Sequence, residues 1–478
     1  MGRSPGALDL AYSLTEAAAA LRAGAVSATE LLERALANAD AHDGEIGVFL
    51  SRFDERAREQ AAAVDDRIAA GAPLAPLAGI PVGLKDIFAH PHAPTTAQSL
   101  VLDPEWARSV GASVVARRLQ AAGAIVVGKT TTLEFAIGVP DPRTPFPVPR
   151  NPWDLECWAG GSSSGSGSGL AAGMFLGAVG SDTVGSIRIP AAFNGITGLK
   201  PTFGRIPKSG MVPLGYTLDH VGPMARTAAD CALLLSVLAG HDASDTYSAP
   251  VPVSDYPAAL TGDLRGITIG VDTLDRYATG GIDPAQPARF AAAIDILRQA
   301  GAAIVEVEVP MYAEATAVDI VVMAAESHAY HRGDLLTRWD DYGRATRVSL
   351  AAGEVVSGAD YVQAQRVRRI AQQRMQEMFD EVDLIATPTG HLGAPRLDTI
   401  DPYAPMNALA SLHTAYWNPL GNPTLAMPIG LAAAGTPLSL SLSGRLFDES
   451  LVLRAADAYQ RRTEHHLSTP TALRKPHQ

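Results

Sequence analysis

Two textures alternate along the chain. Stretches with apolar residues every three or four positions give way to short, unbroken apolar runs of strand length. Residues 114–122 carry the helical period, Gly123 closes them as a left-handed cap, and Ala124-Ile125-Val126-Val127 follows as a strand. The same grammar returns further on. A strand at 267–271, a helix at 289–300 closed by Gly301 and a strand at 303–309 make a βαβ unit. Leu384-Ile385-Ala386-Thr387 is another short strand, stopped by Pro388. GIPVGLKD at 79–86 is an apolar run that ends in Lys85 and Asp86, a buried strand delivering polar groups at its end. Near the N-terminus, Ser13 with Glu16 and Ser27 with Glu30 have the spacing of capping boxes, and a longer helix with mixed charge spans 53–70. Alternating helices and buried strands predict an α/β fold with a mostly parallel sheet. With no tandem repeat and no long linker, one large domain is expected over 8–470, between terminal tails 1–7 and 471–478.

Composition narrows the class. Of 478 residues, 47% are apolar and only 18% charged, which excludes extensive disorder. Fifty acids against 38 bases give a net charge of −12, and no Lys/Arg block interrupts the chain, so nucleic acid is a poor partner. Two cysteines, Cys157 and Cys231, exclude a disulfide scaffold and a Cys-rich zinc site and suit a reducing cytosol. The histidines have no metal-ligand spacing, and His90, His92, His465 and His466 read as surface residues. Asp9 and Glu16 break the apolar character early, with no h-region before a cleavage site, and no uncharged apolar run reaches the roughly 20 residues of a membrane span. These features predict a soluble cytoplasmic protein with no membrane association.

Three motifs invite chemistry they do not support. Residues 123–130, GAIVVGKT, spell the P-loop pattern, but their middle residues are Ala, Ile, Val and Val, a strand rather than an open phosphate cradle. Gly161-Ser162-Ser163-Ser164-Gly165 matches the nucleophile elbow and would make Ser163 a nucleophile; the elbow needs a strand directly before it, and none is evident. The Gly167, Gly169, Ala172 variant of the dinucleotide fingerprint lacks that strand too. The Gly/Ser run at 160–169 has the texture of a linker, yet it leads directly into an expected small-residue helix at 170–178 and then into GSDTVGS at 180–186. Prolines crowd residues 140–152, which predicts a stiff, extended surface loop. It could border a pocket, with Phe146 or Trp153 as an apolar wall.

One constellation remains: Lys85 at a strand end, the serines at 162–164, and Ser186 in a Gly-rich turn. A serine hydroxyl is a weak nucleophile unless a base takes its proton. A lysine can be that base when burial keeps its amine neutral. A second serine can relay the proton, and consecutive backbone N–H groups in the turn can hold an oxyanion.

Several segments together resemble the amidase signature family: GIPVGLKD at 79–86, AGAIVVGKT at 122–130, EFAIG at 134–138, NPWD at 151–154, GGSSSGSGSG at 160–169, GSDTVGSIRIPAAFNGITGLKPTFGR at 180–205, GNPTLAMPIG at 421–430 and SGRLFDESLVLRAA at 443–456. The resemblance covers nearly the whole chain, with a signature core at about 75–225. It implies a single large domain whose mixed, mostly parallel sheet is flanked by helices on both faces. It also implies a Ser–cis-Ser–Lys amidohydrolase that needs no metal or organic cofactor. On that basis Lys85 is the base, Ser162 the bridging serine after a cis peptide, and Ser186 the nucleophile. Ser163 is expected to bond near Lys85, and Asp182 and Arg188 to pair and brace the turn. The oxyanion donors are expected on Thr183, Val184, Gly185 and Ser186. Two residues depart from the family pattern: Ser164 and Val184 each stand where the family usually has Gly. The implied partner is a small-molecule amide or carbamate, with a homodimer left open. The resemblance leaves room for a specialisation on aryl amides, esters or carbamates, as in a urethanase. It also admits the glutaminase subunit of a tRNA-dependent amidotransferase. That subunit usually reads SIRQP followed by a Cys, where this chain has Ile189 and Asn194.

Overall fold

The short apolar runs become the strands of one sheet. A computed structural model describes residues 12–470, 472 and 473, so residues 8–11 of the expected domain and the rest of both tails lie outside the described residues. In chain order the strands are β1 (Phe49–Arg52), β2 (Pro81–Lys85), β3 (Ile125–Thr130), β4 (Arg150–Asn151), β5 (Asp154–Trp158), β6 (Gly177–Asp182), β7 (Thr197–Lys200), β8 (His220–Ala225), β9 (Thr268–Val271), β10 (Ala303–Glu306), β11 (Leu384–Pro388), β12 (Thr424–Leu431) and β13 (Pro437–Gly444). Eleven of them form a single sheet in the order β1-β3-β2-β6-β8-β7-β12-β13-β11-β9-β10, and β4 pairs with β5 separately.

The sheet is mixed. Parallel pairing is confined to two wings, β3-β2-β6 and β11-β9-β10, where helices make the crossovers. The centre is antiparallel, partly because β12 and β13 are joined by a tight turn at 432–436. Every residue of β2, β3, β6, β8, β11 and β13 is buried, as a sheet covered on both faces requires. One hydrophobic cluster runs from Leu14 to Leu473. Among the described residues no helix is long and apolar enough to cross a membrane.

Local signals place most elements. Both N-terminal capping boxes form, at the helices Leu14–Arg22 and Ala28–Ile46. The P-loop look-alike is strand β3, whose N–H groups belong to a ladder. Three expectations fail. The helix expected at 170–178 lies earlier, over Ser164–Ala171, and residues 177–178 already belong to β6. The Gly/Ser run is therefore itself helical from Ser164 onward. Polar backbone-competing residues disfavour that on propensity, and burial of every residue overrides it. A strand, β5, does precede the elbow-like motif, although it belongs to the two-stranded hairpin and not to the main sheet. His466 is buried, not on the surface.

Glycine is what lets the Ser164–Ala171 helix sit so deep. A Cβ at Gly169 would overlap the Phe175 ring, and one at Gly165 would overlap the backbone oxygen of Val48 and the Thr131 hydroxyl. The same Phe175 ring lies against Gly83 of β2, where an added Cβ would come within 2.8 Å. These close approaches hold the serines that precede the helix against the ends of β2 and β6. Gly165→Ala gains about 1 kcal/mol of helix propensity, but the neighbouring carbonyl cannot yield, so a net loss of about 1–3 kcal/mol is expected. Gly333, exposed in the helix Tyr312–Thr337 with nothing within 4 Å of its would-be Cβ, is the control. There alanine should stabilise by about 0.5–1 kcal/mol, and urea unfolding of the two variants checks the opposite signs.

Candidate active site

Register brings the first two groups together. β2 runs parallel to β6 with Leu84 opposite Val179. One residue further, Lys85 reaches the level of Gly180 and Ser181, at the end where both strands stop. Lys85 is fully buried, and its Nζ hydrogen-bonds Ser162 Oγ at 2.7 Å and Ser181 Oγ at 2.9 Å. Burial pushes the amine down to about 7, although the Asp182 and Asp219 charges pull the other way. The Gly161–Ser162 peptide is cis, as the resemblance implied. Ser163 bonds next to Lys85, though not to the amine itself. Its hydroxyl donates to Ser181 O at 3.2 Å and accepts from Ser181 N at 3.3 Å. Ser181, which the sequence did not single out, takes the place at the amine. With its hydroxyl so engaged, Ser163 is not presented as the nucleophile of an elbow.

Ser186 follows β6 by four residues, in the turn that begins after Asp182. Its backbone oxygen accepts from Ser163 N at 3.1 Å, which ties the turn to the start of the Gly/Ser helix. Its hydroxyl makes no hydrogen bond among the described residues and opens with Ser162 onto one cavity. Within the turn, Gly185 has φ +143°, a conformation that favours glycine, whereas Val184 keeps a negative φ open to any residue. No hydrogen bond from the described residues occupies the N–H groups of Val184, Gly185 and Ser186.

Asp182 and Arg188 pair as expected, fully buried, through Nε–Oδ2 at 2.9 Å and a second contact to Oδ1 at 2.8 Å. Burial alone would raise the Asp182 carboxyl, but the charge and hydrogen bonds of Arg188, with Lys200 and Asn418, hold it well below the usual carboxylate range. The pair is completed from far downstream. Asn418 donates to Asp182 Oδ1 at 2.8 Å and to Asp182 O at 3.0 Å, and Arg188 donates to Asn418 Oδ1 at 2.7 Å and to Thr414 O at 2.8 Å. Thr183 donates to Asp219, which also accepts from the N–H groups of Leu214 and Gly215. Asp219, Thr414 and Asn418 carry no sequence motif that would have linked them to the turn.

The cavity beside Ser162 and Ser186 measures about 60 Å³. Leu133, Ala136, Ile137, Trp158, Val184, Ile189, Leu214, Met323, Pro405, Met406 and Leu409 line it, and Ser349 adds the one other hydroxyl. Neither Phe146 nor Trp153 does so. Trp153 is buried with its indole N–H bonded to Asn194 O at 2.9 Å, while Phe146 is half-buried in the proline-rich loop. The aromatic wall is Trp158, placed there as the last residue of β5.

Removing one member of the buried ion pair leaves the other uncompensated. Arg188→Met is expected to cost about 3–5 kcal/mol in urea unfolding. The double variant Asp182→Leu, Arg188→Met should recover part of that loss, because no lone charge remains buried.

A family model described as amidase matches residues 30–453. The A-type subunit of the glutamyl-tRNA(Gln) amidotransferase from Chloroflexus aggregans is 39% identical over 98% of this chain and 99% of its own length. A solved structure, described as an unexpected vestigial protein complex that reveals the evolutionary origins of an s-triazine catabolic enzyme, is 32% identical. It superimposes with a TM-score of 0.86, covering 94% of this chain and 98% of that one. A bacterial aryl acylamidase of the amidase signature family is 25% identical with a TM-score of 0.84, over 97% of this chain and 98% of its own.

Proposed function

The chain belongs to the amidase family, and we propose that it acts as a stand-alone amidohydrolase on amides with a small, apolar acyl group. The observation that carries this reading is the buried Lys85 amine hydrogen-bonded to Ser162 at 2.7 Å behind a cavity that Ser186 shares. Ser186 Oγ attacks the amide carbonyl while its proton passes through the Ser162 hydroxyl to Lys85 Nζ. The Ser186–Ser162 link closes when substrate occupies the cavity, since such contacts are often loose in an empty site. The N–H groups of the turn 183–186 receive the oxyanion. Collapse of the tetrahedral intermediate breaks the C–N bond, and the amine leaves with the proton returned through Ser162. Water then attacks the acyl-enzyme, giving its proton to Lys85 by the same route, and the carboxylic acid departs as Ser186 is restored.

The character of the acyl group follows from the lining. Apart from the catalytic serines, only Ser349 offers a hydroxyl, and no charged residue faces the cavity. Glutamine would bring an ammonium and a carboxylate, each costly to desolvate without a partner. Ile189, where the glutaminase subunit usually has Gln, is part of that apolar wall. A second reading, the glutaminase subunit of an amidotransferase, is favoured by the relative that is 39% identical. A panel of aliphatic amides, anilides, carbamates and glutamine, given to the purified chain alone, separates the two. Turnover of apolar amides without glutamine hydrolysis supports the first reading; glutamine as the preferred substrate supports the second.

Ser186→Ala removes one oxygen and should abolish turnover and labelling by a fluorophosphonate while the unfolding midpoint stays near that of the parent. Continued turnover, or loss on Ser163→Ala instead, would overturn the assignment. The pH profile tests the base. Lys85 accepts a proton only as the neutral amine, so the rate should rise with pH, reach half its maximum near pH 7 and level off above. No single histidine substitution should remove that limb, because no histidine lines the cavity. Val184→Gly enlarges the cavity beside the nucleophile and should shift the substrate ranking toward bulkier acyl groups, read as ratios of kcat/KM.

A further inference from the structure

The turn that carries Ser186 is gripped from behind by a segment more than two hundred residues downstream. Thr414 Oγ1 donates to Val184 O at 2.6 Å, and Thr414 O accepts from Arg188 at 2.8 Å. The approach is close enough that a Cβ on Gly185 would fall on the Thr414 hydroxyl. The preceding residue is anchored as well. The His413 ring is buried between Tyr312, whose hydroxyl lies 2.6 Å from Nδ1, and His391, whose Nδ1 lies 2.7 Å from Nε2. His413 N donates to Thr389 O at 2.9 Å, next to β11. Thr414 therefore reaches the turn from a fixed base.

The peptide that Thr414 holds is the one joining Val184 to Gly185. In a trans peptide the C=O and the following N–H lie in one plane and point in opposite directions. A hydrogen bond that fixes Val184 O on one side thus fixes the Gly185 N–H on the other. Accepting that bond also polarises the peptide, which makes its N–H a stronger donor. We propose that Thr414 is a positioning residue for the hydrolytic reaction, aligning and polarising the Gly185 N–H so that it stabilises the oxyanion formed at Ser186. The proposal rests on the reading of Ser186 as nucleophile and of the turn as the oxyanion site. It assigns Thr414 an effect on the transition state and none on ground-state substrate, whose carbonyl oxygen has yet to take the negative charge.

Thr414→Val keeps the shape and removes the donor, and Thr414→Ser keeps the donor and removes a methyl group. Removing an oxyanion donor outright costs about 10²–10³ in kcat, so losing the group that aligns one should cost about ten- to a hundredfold. The expected result for Thr414→Val is that loss in kcat with KM little changed. The midpoint of the pH limb should be unaltered, because Lys85 is untouched. Affinity for an aldehyde or trifluoromethyl ketone carrying the preferred acyl group should weaken in parallel with kcat/KM. Thr414→Ser should restore most of the rate. A kcat for Thr414→Val within twofold of the parent overturns the proposal, and so does a Thr414→Ser variant as slow as Thr414→Val. A rise in KM with kcat unchanged overturns it too. Failure of the underlying reading looks different: Ser186→Ala would remain active, or the fluorophosphonate would label another residue, whatever Thr414→Val does.

Discussion

Burial of one amine without a carboxylate to neutralise it sets the terms for the whole site. Three lysines among the described residues are fully buried, and each meets the cost of desolvation differently. Lys129 sits 2.6 Å from Asp86 and keeps a counter-ion. Lys200 donates to the backbone oxygens of Pro201 and Asn422. Lys85 has the hydroxyls of Ser162 and Ser181, which stabilise a neutral amine and a charged one without demanding either. Desolvation then decides, and it favours the neutral form. A carboxylate in the position of either serine would restore the positive charge on the amine. The negative charge that is present nearby, on Asp182, is drawn off by Arg188 and Asn418, so it supports the turn without neutralising the lysine's role.

The site lies where segments of very different sequence distance end together. β2 brings Lys85, β6 brings Ser181 and the turn with Ser186, and the Gly/Ser helix brings Ser162 at its approach. These three come from one wing of the sheet and depend on glycine: Gly83 and Gly169 admit Phe175, and Gly165 lets the helix rest against Val48 and Thr131. The fourth contributor, the segment from His413 to Asn418, lies in the chain between β11 of the other wing and β12 of the centre. It makes no hydrogen bond to the hydroxyls of Ser162 and Ser186. It holds the carbonyls and charges of the turn that carries Ser186, from residues that do not line the cavity.

The cavity wall is built apart from the hydrogen bonds of Lys85. The cavity wall is assembled from Leu133–Gly138, Trp158, Ile189, Leu214, Met323 and the short helix Pro405–Leu409, pieces that share no strand with Lys85 or Ser181. Relatives as different in description as an aryl acylamidase and one component of an amidotransferase share the fold with this chain. The residues of this rim can change without moving the buried amine, and one fold can carry different functions.

Much of the fold and most residues of the candidate site were legible in the order of residues. Capping boxes, αL glycines and apolar runs are local signals, and they located the N-terminal helices, β2, β3 and the βαβ unit at 268–306 because the forces behind them act within a few residues. Lys85, Ser162, Ser186, Asp182 and Arg188 stood out because they fall in compact motifs, and the structure gathers them at the ends of β2 and β6. What remained hidden was decided by burial and register. The Gly/Ser run became a helix because it is enclosed on all sides, which propensity cannot report. Ser181 meets the amine because the parallel register of β2 and β6, not proximity in the chain, chooses the neighbour. Trp158 rather than Trp153 faces the cavity, because Trp153 sits in the turn between β4 and β5 and Trp158 at the far end of β5. Thr414 and Asn418 act through hydrogen bonds to backbone and to an ion pair some 230 residues away, and such partners leave no pattern in sequence: any residue with a donor of the right reach would serve, and only the closed sheet says which one is there.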